Sequence, residues 1–218
     1  MILSKKYNFI FIHIWKTGGT SVRESLIKGI HKRKFIQKLN VFYDRVIAKL
    51  TRIYLNKPIS FIGILIVPSH LSATELKNLI GEEKYNRYFK FAFVRNPWDF
   101  YISLYLYIRQ SKKHPHHKII SKLSFGDFLE IQLKNNEFSQ KKMIYDKNGN
   151  LLVDYIGRFE NINDDFAKIC NILGIENNLI HINKTKRSYN YRDYYDDYLR
   201  KKVAEIAKED IETFNYEF

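Results

Sequence analysis

The sequence predicts an α/β domain of three layers, a parallel sheet between helices. Three observations lead there. Phe9–Ile14, Phe61–Val67 and Phe91–Val94 are apolar almost throughout instead of alternating, which is the pattern of strands covered on both faces. A helical pattern with its own start signal follows each run, and strands alternating with helices make parallel crossovers. The chain has 218 residues, 45% of them hydrophobic and 16% aromatic, enough to bury a sizeable core and incompatible with global disorder. A single domain over 1–218 is expected, with a basic helical insertion at about 29–58.

Taken in order, the first strand breaks at Lys16-Thr-Gly-Gly19, and Ser21 to Lys28 continues as a helix with Gly29 as its stop. Pro68 ends the second run, after which Ser72-Ala-Thr-Glu75 supplies a capping box for a helix through Leu79. The third run leads to Asn96 as N-cap and Pro97 at the first helical position, opening a long helix to about Arg109. Beyond it, Phe125–Leu133 reads as a helix, Asp146–Gly149 as a hairpin turn and Leu151–Ile156 as a strand. Asp164–Leu173, stopped by Gly174, and Arg192–Lys208 complete the set as amphipathic helices.

Composition narrows the function classes. Lys plus Arg number 37 against 23 Asp plus Glu, a net charge of +14, so the expected partner is anionic: nucleic acid, a phosphorylated cofactor, an acidic glycan or a membrane surface. The single cysteine, Cys170, excludes an internal disulfide and a cysteine zinc cluster, and reads as core. The longest apolar run, Ile59 to Pro68, falls far short of the roughly 20 residues of a membrane-spanning helix. Lys5 and Lys6 precede an apolar stretch interrupted by His13 and Lys16, which does not read as a signal peptide. A cytoplasmic protein is expected, and the Lys, Asn, Ile and Tyr bias points to an AT-rich bacterial source.

Two segments carry chemistry. In Lys16-Thr-Gly-Gly-Thr-Ser21, Gly18 and Gly19 let backbone amides approach a ligand, the helix start offers unpaired N–H groups, and Lys16, Thr17, Thr20 and Ser21 add donors. It is an anion cradle, P-loop-like in its strand, loop and helix. It is not a Walker A loop, which puts its lysine after the glycines, and the strands ending at Val67 and Val94 are followed by Pro68 and Arg95, so the acid a magnesium-dependent kinase needs is missing. The bland alternative is a tight turn without a ligand. In Phe91-Ala-Phe-Val-Arg-Asn-Pro-Trp-Asp99, Arg95 leaves the carboxyl end of a strand and Ser103 follows eight residues later, roughly two helical turns on, so both could face one anion. The alternative for Arg95 is an ion pair with Asp99.

Together these segments resemble the sulfotransferases, in particular the carbohydrate branch that uses 3'-phosphoadenosine 5'-phosphosulfate (PAPS). Lys16-Thr-Gly-Gly-Thr-Ser21 is similar to the family's 5'-phosphosulfate loop, and Arg95-Asn-Pro-Trp-Asp99 with Ser103 to its 3'-phosphate motif. Val153 to Glu160, His181 to Thr185 and Tyr194-Tyr195 also look like this branch, while Trp15, where many relatives carry proline, and the insertion between Gly29 and Pro58 depart from it. The resemblance implies that Lys16 stabilises charge on the leaving 5'-phosphate oxygen, Thr17, Gly18, Gly19, Thr20 and Ser21 hold the phosphosulfate, and Arg95 and Ser103 grip the 3'-phosphate. It also implies a late cofactor loop at Asn183, Lys184 and Thr185, a product 3',5'-bisphosphoadenosine, and no metal.

A base for the acceptor hydroxyl is expected at His70, just past the second strand and before a capped helix, with an acidic limb near the ordinary histidine value of about 6.5. Some uronyl and related sulfotransferases look similar here; the alternative is a structural histidine, and Glu75 is the next candidate. His13 reads as core, and His114, His116 and His117 as a solvated loop. Over Lys28–Lys57, basic residues accompany apolar ones at Phe35, Leu39, Phe42, Val46, Leu50 and Ile53, a basic amphipathic helix. It packs on the domain, or meets an acidic acceptor or a membrane surface. The expected function is transfer of a sulfuryl group from PAPS to a hydroxyl of a glycan or glycoconjugate. The alternatives are a non-catalytic protein binding nucleic acid or membrane through its basic helix, and another nucleotide-dependent group transferase.

Overall fold

In the computed structural model of the chain, the described residues are 1–30, 59–61, 64–66, 70–134, 138–180 and 190–218. They form two compact units, one from Met1–Val94 and Lys142–Ile182, the other from Arg95–Lys141 and Asn183–Phe218.

The first unit is built on a six-stranded sheet. Its strands are β1 (Ile2–Ser4), β2 (Phe9–Ile12), β3 (Ile59–Phe61), β4 (Ile64–Ile66), β5 (Phe89–Val94) and β6 (Tyr155–Arg158), in the order β3-β4-β1-β2-β5-β6. The expected parallel arrangement holds for β2, β5 and β6. The other half is antiparallel, because β1 pairs with both β2 and β4 and the run expected as one strand over Phe61–Val67 is divided between β3 and β4, which pair with Phe61 opposite Ile64. Every residue of Phe9–Ile12 and Phe91–Val94 is buried, as continuous apolar runs require.

Helix α1 (Gly19–Ile30) and a later helix, Ile162–Leu173, share one core with the sheet: Phe9, Phe11, Val22, Leu26, Phe91, Phe93, Phe166, Ile169 and Cys170. Burial pushes the Cys170 thiol up to about 11, so it is packing and not a nucleophile. Gly29 lies inside α1 instead of ending it. A Cβ there would come to 3.2 Å from the carbonyl oxygen of Glu176, so its smallness serves a close backbone approach. Helix α2 (Ala73–Ile80) begins at the expected capping box, Ser72 and Glu75 each accepting from the other's backbone N–H; α3 (Glu82–Asn86) follows. The Asp146 turn forms, with Tyr145 bridged to Leu151. The strand behind it starts later than expected, at Tyr155, because Asp154 is held by Lys90: its carboxylate accepts from the Lys90 N–H at 2.7 Å and pairs with Lys90 Nζ at 2.9 Å.

The second unit is helical. Helix α4 (Pro97–Gln110) starts where expected, the Asn96 side chain accepting from the Trp98 N–H. It is joined by α5 (His117–Ile120), α6 (Phe125–Lys134) and the first residues of α7 (Gln140–Ile144). The 162–173 helix of the first unit is α8, and α9 (Asp197–Ile206) and α10 (Lys208–Phe214) end the chain. The expected helix over Arg192–Lys208 is thus split. Asp196 caps α9 by accepting from the Leu199 N–H at 2.8 Å, and the chain turns again at Ala207. Trp98 Nε1 donates to the Arg200 carbonyl at 3.0 Å and the Tyr195 hydroxyl to the Trp98 carbonyl at 2.7 Å, which fixes the start of α4. Among the described residues no helix is long and apolar enough to cross a membrane.

Candidate active site

In the first unit, residues 13–21 turn from β2 into α1. Lys16 and Gly18 both take left-handed backbone, φ 57° and φ 79°, and the Thr17 hydroxyl closes the turn by donating to the Ile14 carbonyl at 3.0 Å. Thr17 is fully buried and Thr20 exposed. The helix begins at Gly19, earlier than expected. A Cβ at Gly18 would come to 2.7 Å from Ile162 Cδ1, and one at Gly19 would land on the His13 ring. Contact favours glycine at both positions, and backbone shape favours it at Gly18 as well. Gly19→Ala should lower stability by about 1–3 kcal/mol, the usual range for overpacking; the check is the urea midpoint at unchanged m-value, and a wild-type midpoint would contradict it.

His13 is less deeply set than a core residue: it is half-buried, stacked on Phe11 at 5.8 Å and facing His70 at 5.1 Å between ring centroids. Trp15, the departure from proline, is 45% exposed and meets the His70 ring edge-on at 5.0 Å. Burial, followed by the charge of the chain's amino terminus, lowers the pKa of His13 to about 2 and that of His70 to about 4, while a hydrogen bond to the His13 backbone favours protonated His70. His70 has φ 88°, a conformation uncommon outside glycine, and its buried Nδ1 has no hydrogen-bond partner among the described residues. The hydrogen bond to the His13 backbone is what the structural alternative expects; the left-handed backbone and the buried Nδ1 are features that recur at functional positions. Glu75 is committed elsewhere, its carboxylate accepting from the Ser72 N–H at 2.7 Å and the Ser72 hydroxyl at 2.9 Å.

In the second unit, Arg95 is 5% exposed. Its Nε donates to Asp99 Oδ2 at 2.8 Å and its guanidinium pairs with the same oxygen at 2.6 Å, while NH1 donates to Ser103 Oγ at 3.1 Å. The alternative for Arg95, the pair with Asp99, forms, and Ser103 lies within hydrogen-bond reach of the same guanidinium. Sequence reading missed Gln140, whose side-chain amide brackets the Arg95 backbone, accepting from its N–H and donating to its carbonyl, each at 2.8 Å. It also missed Asp210 beneath Gln140. Neither has a local motif; only the long-range contact shows them. His114, His116 and His117 form no metal-ligating group among the described residues; His117 Nδ1 lies 3.0 Å from the Ile108 carbonyl. Asn183, Lys184, Thr185 and positions 31–58 of the basic insertion lie outside the described residues.

A strand with a glycine turn entering a helix, in one unit, and a buried arginine at the start of the other are the candidate site's parts, and a family comparison gives the class of the protein. A model of the sulfotransferase family matches residues 1–217. The chain belongs to that family and is an enzyme of its class. An uncharacterized protein of Archaeoglobus fulgidus is 31% identical over 134 residues, covering 56% of this chain and 98% of the relative. The crystal structure of mouse sulfotransferase SULT7A1 complexed with PAP shares the fold at TM-score 0.54 and 15% identity, over 96% of this chain and 86% of that one.

Proposed function

We propose that the protein transfers a sulfuryl group from PAPS to a hydroxyl of a glycan or glycoconjugate. Family membership supports the reaction, and the mouse relative's complex with PAP supports the nucleotide. The observation that carries the reading is the strained, unsatisfied His70 in ring contact with Trp15, the residue next to Lys16. PAPS supplies an activated sulfuryl group on a phosphate leaving group. The amides of Thr17–Ser21 hold the phosphosulfate and Lys16 neutralises charge as the bridging bond to phosphate breaks. His70 accepts the hydroxyl proton as the oxygen attacks sulfur, and Arg95 and Ser103 hold the 3'-phosphate. Asn183, Lys184 and Thr185 belong to the nucleotide site in this reading, both units belong to one domain over 1–218, and the protein is cytoplasmic and bacterial. Incubation with PAPS and a panel of neutral and acidic glycans tests the function. Sulfated glycan should appear with 3',5'-bisphosphoadenosine in equal amount; nucleotide product without sulfated glycan from any of them would reject the acceptor class.

The basic segment serves the acceptor. Replacing Lys32, Arg33 and Lys34 with neutral residues should raise KM for an acidic glycan several-fold at low salt, with the difference vanishing at high salt. Affinity for 3',5'-bisphosphoadenosine should stay put. An equal loss of nucleotide binding would assign these residues to the nucleotide site or the fold.

A further inference from the structure

Arg95 sits where the chain has left β5 and not yet entered α4. Gln140 bonds both the backbone N–H and the carbonyl of Arg95. Its Oε1 accepts from the Arg95 N–H and its Nε2 donates to the Arg95 carbonyl, the pattern a neighbouring strand would provide. Gln140 is 1% exposed, and it is anchored in turn: its backbone N–H donates to Asp210 at 2.9 Å, as does that of Lys141, and the Ser139 hydroxyl donates to the same carboxylate at 2.7 Å. Asp210, on α10 and 4% exposed, thereby caps α7 from another helix. A continuous buried relay runs from Asp210 through Gln140 to the Arg95 backbone, and from the Arg95 guanidinium to Asp99 and Ser103.

We propose that Gln140, seated by Asp210, is a positioning residue for the nucleotide site: it fixes the Arg95 backbone so that the guanidinium meets the 3'-phosphate, and thereby sets selectivity for 3'-phosphorylated nucleotides. This rests on the reading of Arg95 given above. The chemistry favours it over a purely structural role because a guanidinium already balanced by Asp99 has little net charge with which to attract a phosphate. Recognition then depends on the direction in which the guanidinium is held, and a fork that must match phosphate geometry is sensitive to small displacements. A side chain that pins the backbone of the same residue on both sides controls that direction.

The test is calorimetric binding of 3',5'-bisphosphoadenosine and of adenosine 5'-phosphate, which lacks the 3'-phosphate, to the full chain. Wild type should prefer the bisphosphate, Arg95→Ala should remove the preference, and Gln140→Leu should reduce it about 10- to 100-fold, the scale of a hydrogen bond to a charged group, with adenosine 5'-phosphate affinity held within a few-fold. Asp210→Asn, which keeps the shape and loosens the seat, should reduce the preference less, and serves also if Gln140→Leu does not fold. A merely structural role moves both nucleotides together with the folded fraction, and that result in either variant overturns the proposal. If wild type shows no preference, or Arg95→Ala keeps it, the reading of Arg95 fails. If Arg95→Ala removes the preference while Gln140→Leu and Asp210→Asn keep it, only the positioning role fails.

Discussion

Lys16→Ala should leave the protein folded and lower kcat by about 10²- to 10³-fold. Lys16 already takes a left-handed backbone at φ 57°, and alanine suffers there about as much as lysine does, so the substitution adds no new strain. Its partly exposed side chain contributes little to the core. A fixed donor aimed at charge that develops only as the bridging bond breaks is worth roughly 3–4 kcal/mol of barrier. The loss therefore belongs in kcat more than in KM. Single-turnover rates together with an unchanged urea midpoint would establish this, and wild-type turnover would remove Lys16 from the reaction.

His70→Ala should lower kcat by about 10²- to 10⁴-fold, the range of a well-placed general base, and retain 3',5'-bisphosphoadenosine binding. The structure moves the expected pH profile. With its pKa lowered to about 4, chiefly by burial, His70 stays neutral and able to accept a proton throughout the neutral range. The acidic limb of kcat should therefore lie near pH 4, below the value expected from an ordinary histidine. Stability should follow the same sign. Because the folded-state values of His13 and His70 lie below the ordinary one, the unfolded chain binds more protons below about pH 6.5. Their contribution is complete above that pH and is lost as it falls, through about 4 for His70 and about 2 for His13. Thermal midpoints measured from pH 7 to pH 4 should decline, less steeply in His70→Ala. Full activity in that variant, with an unchanged limb, would pass the base to another group. Glu75 is the candidate sequence position offers, although its carboxylate already serves the α2 cap.

What was legible in the sequence is what local chemistry writes there. The cap at Ser72, the Asn96-Pro97 helix start and the buried runs of β2 and β5 are each decided within a few residues, and Lys16–Ser21 and Arg95–Ser103 are short motifs. Sheet direction was not legible at the antiparallel edge. An apolar run reads the same whether it forms one strand or folds back on itself, and only the pairing of Phe61 with Ile64 distinguishes them. Gly29 misled because glycine marks helix ends and close backbone contacts alike. Gln140 and Asp210 stayed hidden because their partners lie 45 and 70 residues away. The lowered pKa of His70 was equally out of reach, since burial comes from tertiary packing.

The central proposal is that the glycine loop and Arg95 each serve nucleotide binding, and thermal unfolding with added 3',5'-bisphosphoadenosine tests it most directly. At about 100 times Kd the ligand should stabilise the protein by about 2.7 kcal/mol, raising the midpoint in a concentration-dependent way, and Lys16→Ala with Arg95→Ala should abolish the rise. An unmoved midpoint at millimolar nucleotide, with duplex DNA raising it instead in a manner that fades steeply with salt, would contradict the claim and return the protein to the class of basic nucleic-acid binders.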